Sequence, residues 1–379
     1  MALLFPLLAA ATPLNVEVLY LKQTTPRPPT LSTREIPPPD AGPAGALVAV
    51  GDSNTTGRFL GHHYALEIVE VDSADEAIAQ ARAWLNSTRG IIVADLPSQT
   101  LAELVALKSQ QVPLILNATN PDDAWRVSEC RPYLLHTTPS RAMLADALAQ
   151  FLIARRWREW FLIKGPRPED EAFANAMKRS ARRFGGKIVA EKTWSFDTDL
   201  RRTAQSELPL FTQASDYDAV LIADEIGDVG EFVPYNTWLP RPVVGTQGLV
   251  PTAWSPVLEQ WGALQLQNRF TSEHGRGMTS ADYGAWLAVR AVAEAVTRTG
   301  SSSAENIYDY LVSEEFELAA FLGRSLTFRS WNGQIRQPIT LVQPKAAVSQ
   351  SPQTGFLHPG TELDTLGFDA PEVNCRFKG

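Results

Sequence analysis

Carboxylates stand at the ends of two apolar runs. Asp95 follows Ile91-Ile92-Val93-Ala94, and Asp224-Glu225 follow Ala219-Val220-Leu221-Ile222-Ala223. Short apolar runs between turn signals read as buried strands. In open α/β sheets, ligands sit beyond the carboxyl ends of the strands. The same rule picks Ser98, then Asn117 and Thr119 after Leu114-Ile115-Leu116, and later Gly165-Pro166-Arg167 and Gln247. Oxygen-rich sets select hard cations, so Asp95, Asp224 and Glu225 with the Asn117 carbonyl form a candidate site for calcium or a lanthanide, with Asp228 as a further carboxylate. The competing reading makes Asp95 a cap for the helix beginning near Ser98 and leaves Asp224 and Glu225 as solvated loop charges. Tyr235 and Trp254 lie in loops and offer rings to stack on a ligand, whereas Trp261, ahead of an expected strand, reads as packing.

The elements that must position these residues follow a regular rhythm. A strand at 16–21, a helix over 43–60 and a strand at 66–71 are followed by a helix at 72–85, a strand at 90–94, a helix at 98–109 and a strand at 112–116. A second unit has a helix at 141–155, a strand at 160–163, a helix at 169–184 stopped by Gly185-Gly186, and strands at 187–191, 218–223 and 243–246. Two helices near 279–299 and 304–313 come next, then strands at 325–328 and 339–342 that read as a hairpin turning at Asn332-Gly333. Strands alternating with helices imply α/β architecture, with parallel sheets flanked by helices.

The chain has 379 residues, 44% hydrophobic and 20% charged, with a net charge of −8. That describes an ordinary globular protein and argues against a nucleic-acid partner, which calls for a basic footprint. No later stretch approaches the length of a spanning helix. Residues 1–12 begin with a short apolar run and offer Ala9 and Ala11 as a small-x-small cleavage site, so they read as a secretory signal; the competing reading is a buried first strand. His62-His63 read as the end of a helix, and the segment GDSNTTGRF as a turn after the first helix, at the sheet edge. The arginines at 155–158 and 179–183 read as solvated helix faces. No nucleophile elbow, phosphate loop or zinc-protease motif occurs, so no catalytic residue and no cofactor motif is expected; the protein reads as a non-enzyme.

The ordered series HTTPSRAMLADALAQFLIARRWREWFLIKG, AFANAMKRSARRFGGKIVAEKTWSFDTDL, YDAVLIAD, ADYGAWLAVRAVAEAVTRTGSSSAENIYDYL and LGRSLTFRSWNGQIRQPITLV resembles the type 1 periplasmic binding proteins, in particular the receptors of branched-chain amino acid ABC transporters. The segments ADLP, GDSNTTGRF and LGFDAPEVNCRF resemble a subgroup associated with pyrroloquinoline quinone-dependent alcohol oxidation. The resemblance implies two Rossmann-like lobes joined by three hinge strands, the first from 14–137 and 270–323, the second from 138–268 and 324–346, with a tail at 347–379 on the first lobe. It implies a periplasmic, monomeric substrate-binding protein that closes on a small molecule or ion and delivers it to an ABC transporter permease. The other reading is a non-transport accessory or sensor protein that binds a metal or metabolite. In the amino acid receptors the first two cleft loops offer hydroxyls and amides to the ligand's carboxylate. Asp95 in that turn would repel it, and ADEIGD stands where an aromatic residue is usual. Cys130 and Cys375 are the only two cysteines, and in an oxidising compartment they are expected to pair and pin the tail.

Overall fold

Val16, Val18 and Tyr20 enter one apolar cluster while Leu19 and Leu21 enter another. A strand buried on both faces requires helices on both sides of its sheet. The computed structural model, which describes residues 13–26, 37–87, 90–109, 112–194, 200–227 and 230–375, supplies them. The expected leader at 1–12, most of the Pro-rich stretch and Asp228 lie outside the described residues.

The first sheet is built from β1 (Leu14–Gln23), α1 (Pro43–Leu60), β2 (His62–Val71), α2 (Ala74–Asn86), β3 (Ile91–Asp95), α3 (Ser98–Val105), β4 (Leu114–Asn117), α4 (Ala124–Val127) and β5 (Leu134–His136). Its strands are parallel in the order β2-β1-β3-β4-β5, with Lys22 opposite Asp95 and Asn117 opposite His136. The second lobe follows with α5 (Arg141–Ala154), β6 (Glu159–Lys164), α6 (Pro168–Phe184), β7 (Lys187–Thr193), α7 (Leu200–Phe211), β8 (Ala219–Ala223) and β9 (Val243–Gly245), giving a parallel sheet β7-β6-β8-β9. β10 (Val250–Thr252), α8 (Ala263–His274), α9 (Ser280–Thr299), α10 (Ala304–Leu311), β11 (Leu318–Ala319), β12 (Ser325–Phe328), β13 (Ile335–Arg336), β14 (Ile339–Gln343) and β15 (Ala346–Ser351) complete the elements. This is an α/β fold of two lobes. Among the described residues no helix is long and apolar enough to cross a membrane.

The chain crosses between lobes three times. After β5 it enters α5, whose residues pack in the second lobe's core. After β10 it returns, because Trp254, Leu258, Leu266 and Phe270 join the first lobe's core with α1 and α9. It leaves again after Ile335, since Ile339 and Leu341 pack in the second core. The cores thus place α8 and the β12–β13 hairpin with the first lobe, whereas the expected boundaries gave 263–268 and 324–336 to the second. Gln337 Nε2 donates to the Thr137 carbonyl at 2.9 Å, joining the first and third crossings side by side.

Several local expectations are corrected. GDSNTTGRF is not a turn at the sheet edge but the second half of α1; Asn54 exchanges two hydrogen bonds with Tyr64 of β2 (2.9 and 2.8 Å), and Gly57 lets the helix approach the His62 carbonyl. His62-His63 open β2 rather than end a helix. The hairpin at Asn332-Gly333 pairs Phe328 with Ile335, not with the 339–342 strand, which lies between β10 and β15. Trp261 precedes α8, and its ring is 47% exposed. The tail touches both lobes: Glu362–Leu366 meet Arg324, Arg329 and Arg336 of the first-lobe hairpin and Cys375 meets Val127, whereas Thr365, Gly367 and Glu372 contact α5 and α6 of the second lobe.

Glycines set how closely α1 lies to its neighbours. A Cβ at Gly45 would overlap the Asp282 backbone in α9, whereas Gly51 of the same helix faces open space. Gly45→Val should therefore cost about 3 kcal/mol by overpacking. Gly51→Ala should gain about 0.5–1 kcal/mol by helix propensity. Urea titration with unchanged slope would read both, and equal effects at the two positions would refute the assigned packing.

Candidate functional site

The carboxyl ends of the two sheets face the crevice where the crossings meet. On the first lobe, Asp95 at the end of β3 accepts a hydrogen bond from Thr119 Oγ1 (2.6 Å) and one from the Tyr20 hydroxyl (3.1 Å). Burial raises its pKa above the usual carboxylate value, against the two hydroxyl donors and Lys22, and burial together with Asp95 holds the Tyr20 phenol well above its ordinary range. Asp95 is not a cap: α3 begins after Pro97 with no side-chain cap. Gly42 presses against this pair with φ at 94°, and any side chain there would collide with Tyr20. Its amide donates to Asp282 Oδ1 at 2.8 Å, and Arg276 pairs with Asp282 from the other side at 2.7 Å.

The next loop is built by its own side chains. Asn117 is fully buried; its amide donates to the Asn120 carbonyl (2.8 Å) and lies 3.0 Å from His136 Nδ1, while its Oδ1 accepts from the Asn120 amide. Burial, then Arg126, pushes His136 well below the usual imidazole value, so the ring stays neutral. The Asn117 carbonyl accepts from Thr137 N at 3.0 Å and is not available as a cation ligand. Ser98 donates to Asp122 and accepts from Asn120 Nδ2 at 2.9 Å.

On the second lobe, Asp224 is buried and accepts from the amides of Gly227 (2.9 Å) and Gly230 (2.7 Å), which folds the loop after β8. Gln247 packs over Gly230. Glu225 forms a two-bond pair with Arg141, Nε to Oε1 at 2.6 Å and Nη2 to Oε2 at 2.8 Å. Arg141 also pairs with Asp122, so one guanidinium at the start of α5 joins carboxylates from both lobes. Burial opposes its charge, but Glu225 and Asp122 outweigh burial and raise its pKa; Asp122 in turn, despite partial burial, is held below the usual range by Ser98 and Arg141. Asp170 Oδ1 accepts the Glu225 amide at 2.9 Å.

Asp95, Asp224 and Glu225 are therefore engaged separately, by hydroxyls, by amides and by a guanidinium. Among the described residues no group of three His, Cys, Asp or Glu side chains stands close enough to hold a metal ion. Trp254 is a core residue, 2% exposed and stacked on Tyr283 with ring centres 4.7 Å apart, so it does not face a ligand. Tyr235 lies at the end of a short 3-10 turn and is 82% exposed. Sequence reasoning missed Tyr20, Asp122 and Arg141. A polar residue near the end of the first strand, the Asn-Pro-Asp-Asp after β4 and an arginine directly after the Pro-Ser crossover were the available signals.

Two interleaved α/β lobes with a polar crevice at their strand ends fit a known family, and a family model described as periplasmic binding protein matches residues 40–234. The chain belongs to the periplasmic binding protein family. Solved structures of similar fold include a branched-chain amino acid ABC transporter periplasmic ligand-binding protein from Burkholderia xenovorans LB400 (18% identity, 96% of this chain and 99% of that one, TM-score 0.74). A leucine-, isoleucine-, valine-, threonine- and alanine-binding protein from Brucella ovis, in a closed conformation, is similar too (17% identity, 97% and 99% covered, TM-score 0.71). So is a solute-binding protein from R. palustris in complex with benzoate (13% identity, 89% and 95% covered, TM-score 0.64). No curated protein matches the chain. Among periplasmic binding proteins the crevice between lobes is the site of interest, and here its walls carry Asp95, Asp122, Asp170 and Glu225, with Arg141 pairing with Asp122 and Glu225.

Two outcomes follow from this geometry. Arg141→Ala leaves Asp122 and Glu225 without their shared cation and should cost about 3 kcal/mol, seen as a lower denaturation midpoint; no change would mean the pairs are solvent-screened. Because the folded state raises the Asp95 pKa, it holds a proton that the unfolded state has released, and stability falls as pH climbs from the usual carboxylate value to the raised one. Asp95→Asn removes that slope. Its stability relative to the parent should improve across this window and then level off, as followed by thermal unfolding at a series of pH values.

Proposed function

We propose that this periplasmic binding protein is the solute-binding component of an ABC-type importer, and that its solute carries amine or hydroxyl groups rather than a free carboxylate at the β3 and β4 loops. The observation that carries the reading is Asp95, a half-buried acceptor held by Tyr20 and Thr119 at the strand end. A ligand carboxylate there meets like charge in a poorly solvated place, where repulsion is strong. An ammonium or hydroxyl group meets an acceptor. Binding would close the lobes about the three crossings, and a permease would read the closed form. The Cys130–Cys375 disulfide fits an exported, periplasmic protein. In this reading the protein acts as a monomer without a catalytic step.

The link to quinone-dependent alcohol oxidation is part of the proposal and rests on three short segments. Gly51–Phe59 belongs to α1, the turn after Asp95 leads into α3, and the 366–375 segment forms the end of the tail. No observation favours the metal-binding accessory reading over the solute reading, because the three carboxylates it needs do not converge.

Titration calorimetry with primary amines, polyols, free amino acids and simple carboxylates would test the assignment. An amine or polyol should bind, scattering should show a more compact protein on binding, and Asp95→Ala should weaken the affinity about tenfold or more. Tight binding of a leucine-like amino acid with the same affinity in Asp95→Ala would overturn the ligand class.

A further inference from the structure

The tail is held by the first-lobe hairpin at Asp364, then by the second lobe at 367–372, then by the first lobe again at 374–375, with very little chain between the last two. On the second lobe, the fully buried Asp146 of α5 accepts from the Gly367 amide (2.8 Å) and from Arg183 Nη1 (2.7 Å), Arg179 Nη1 (3.2 Å) and Ser180 Oγ (2.5 Å). The two arginines also bind the Gly367 carbonyl, at 3.1 and 2.6 Å. Arg179 lies over the Phe368 ring at 4.1 Å and reaches Glu372 at 2.9 Å. These arginines are thus not a solvated face but a receptor for the tail. Arg329, in the first-lobe hairpin and only 1% exposed, takes the preceding turn through Asp364 (2.8 Å) and the carbonyls of Leu363 (3.0 Å) and Leu366 (2.7 Å). On the first lobe, the Asn374 amide donates to the Val127 carbonyl at 2.9 Å and Cys375 is bonded to Cys130.

We propose that the tail is a strap that limits how far the two lobes move relative to each other. Only Val373 separates Glu372, held by Arg179, from Asn374, held by the first lobe. An extended chain spans about 3.3–3.6 Å per residue, so Glu372 and Cys375 cannot part by more than about 11 Å. The three crossings are one strand wide and can twist. The strap adds a fourth connection, covalent at one end and ionic at the other. Lobe movement beyond its reach must either break the Arg179–Glu372 contact or peel Phe368 and Gly367 from the arginines. The range open to the ligand-free protein is therefore set by the tail as well as by the hinge.

This rests on the lobes moving, which the proposed function also requires, and the test separates the two. Two variants release opposite sides: Cys130→Ser with Cys375→Ser and Asp364→Ala frees the first-lobe anchors, and Phe368→Ala with Glu372→Gln weakens the second-lobe anchor while keeping the disulfide. Small-angle scattering and amide hydrogen exchange are read on the full chain without ligand. Both variants should shift to a larger radius of gyration, and the amides of Thr137, Thr138, Ser140, Gln337 and Ile339 should exchange faster. If the cysteine variant does not fold, the second variant decides. Unchanged radius and unchanged crossing amides, with faster exchange confined to 363–374, would overturn the strap. When that occurs in a protein whose radius still falls on adding the solute found by calorimetry, the two-lobe binding reading stands and only the strap is lost.

Discussion

One buried guanidinium organises the junction between the lobes. Arg126 sits in the short helix α4, is 1% exposed, and donates to Gln334 Oε1 and to the carbonyls of Asn120, Asp122 and Thr138. Those acceptors belong to the cleft loop after β4, the first crossing and the segment before the third. Burial, opposed by Asp123 and Asp122, lowers its pKa to about 9. Gln334 passes the connection on, donating to the carbonyls of Thr138 and His136. A buried charge is tolerated only when hydrogen bonds replace its water. Asn120 and Asp122 cannot shift without uncovering it, which ties the cleft loop to the first-lobe ends of two crossings.

The polar side chains of the crevice divide into two kinds. Asn117, Asp224 and Ser98 are consumed by local backbone and neighbouring side chains, and their work is to fix loop shape. Asp95, Arg141 and Glu225 are held by other side chains, whose hydrogen bonds can be exchanged for a ligand's at little cost in backbone geometry. The first kind sets where the site lies and the second sets its charge. A metal ion would need carboxylates whose lone pairs converge, and this arrangement spreads them over separate partners.

Much of this was legible in the residues. The alternation of apolar runs and helices identified both sheets, because Leu19 and Tyr20 face opposite cores and leave an uninterrupted apolar run. The strand-end rule found Asp95, Asn117, Asp224 and Glu225. It could not say what each would hold, since the Glu225 partner lies 84 positions away and the Tyr20–Asp95 pair spans 75. Trp254 looked like a ligand ring because its neighbours are turn formers; its burial comes from α9, which only the tertiary fold brings against it. The hairpin was misread for a similar reason, as β14 finds better partners in β10 and β15. α8 was missed because its exposed face is polar and its apolar face is narrow, with Leu266 and Phe270 the deepest residues.

The close contact between Gly45 and Asp282 joins the first helix of the first lobe to one more than two hundred residues later. The first lobe's sheet can pair locally, but one of its faces stays only partly covered until α8, α9 and α10 exist. The second lobe's parallel sheet and its α5–α7 layers are complete in sequence well before that point. The second lobe's core is itself completed only by Ile339, Leu341 and Leu366, so both halves wait for late segments, and the half that begins the polypeptide holds an apolar sheet face only partly covered by α1 in the interval. Contacts of long sequence separation are also the slow ones to form. Any partner that shields unfinished chains has its most obvious target in that partly covered face of β1, β3 and β4.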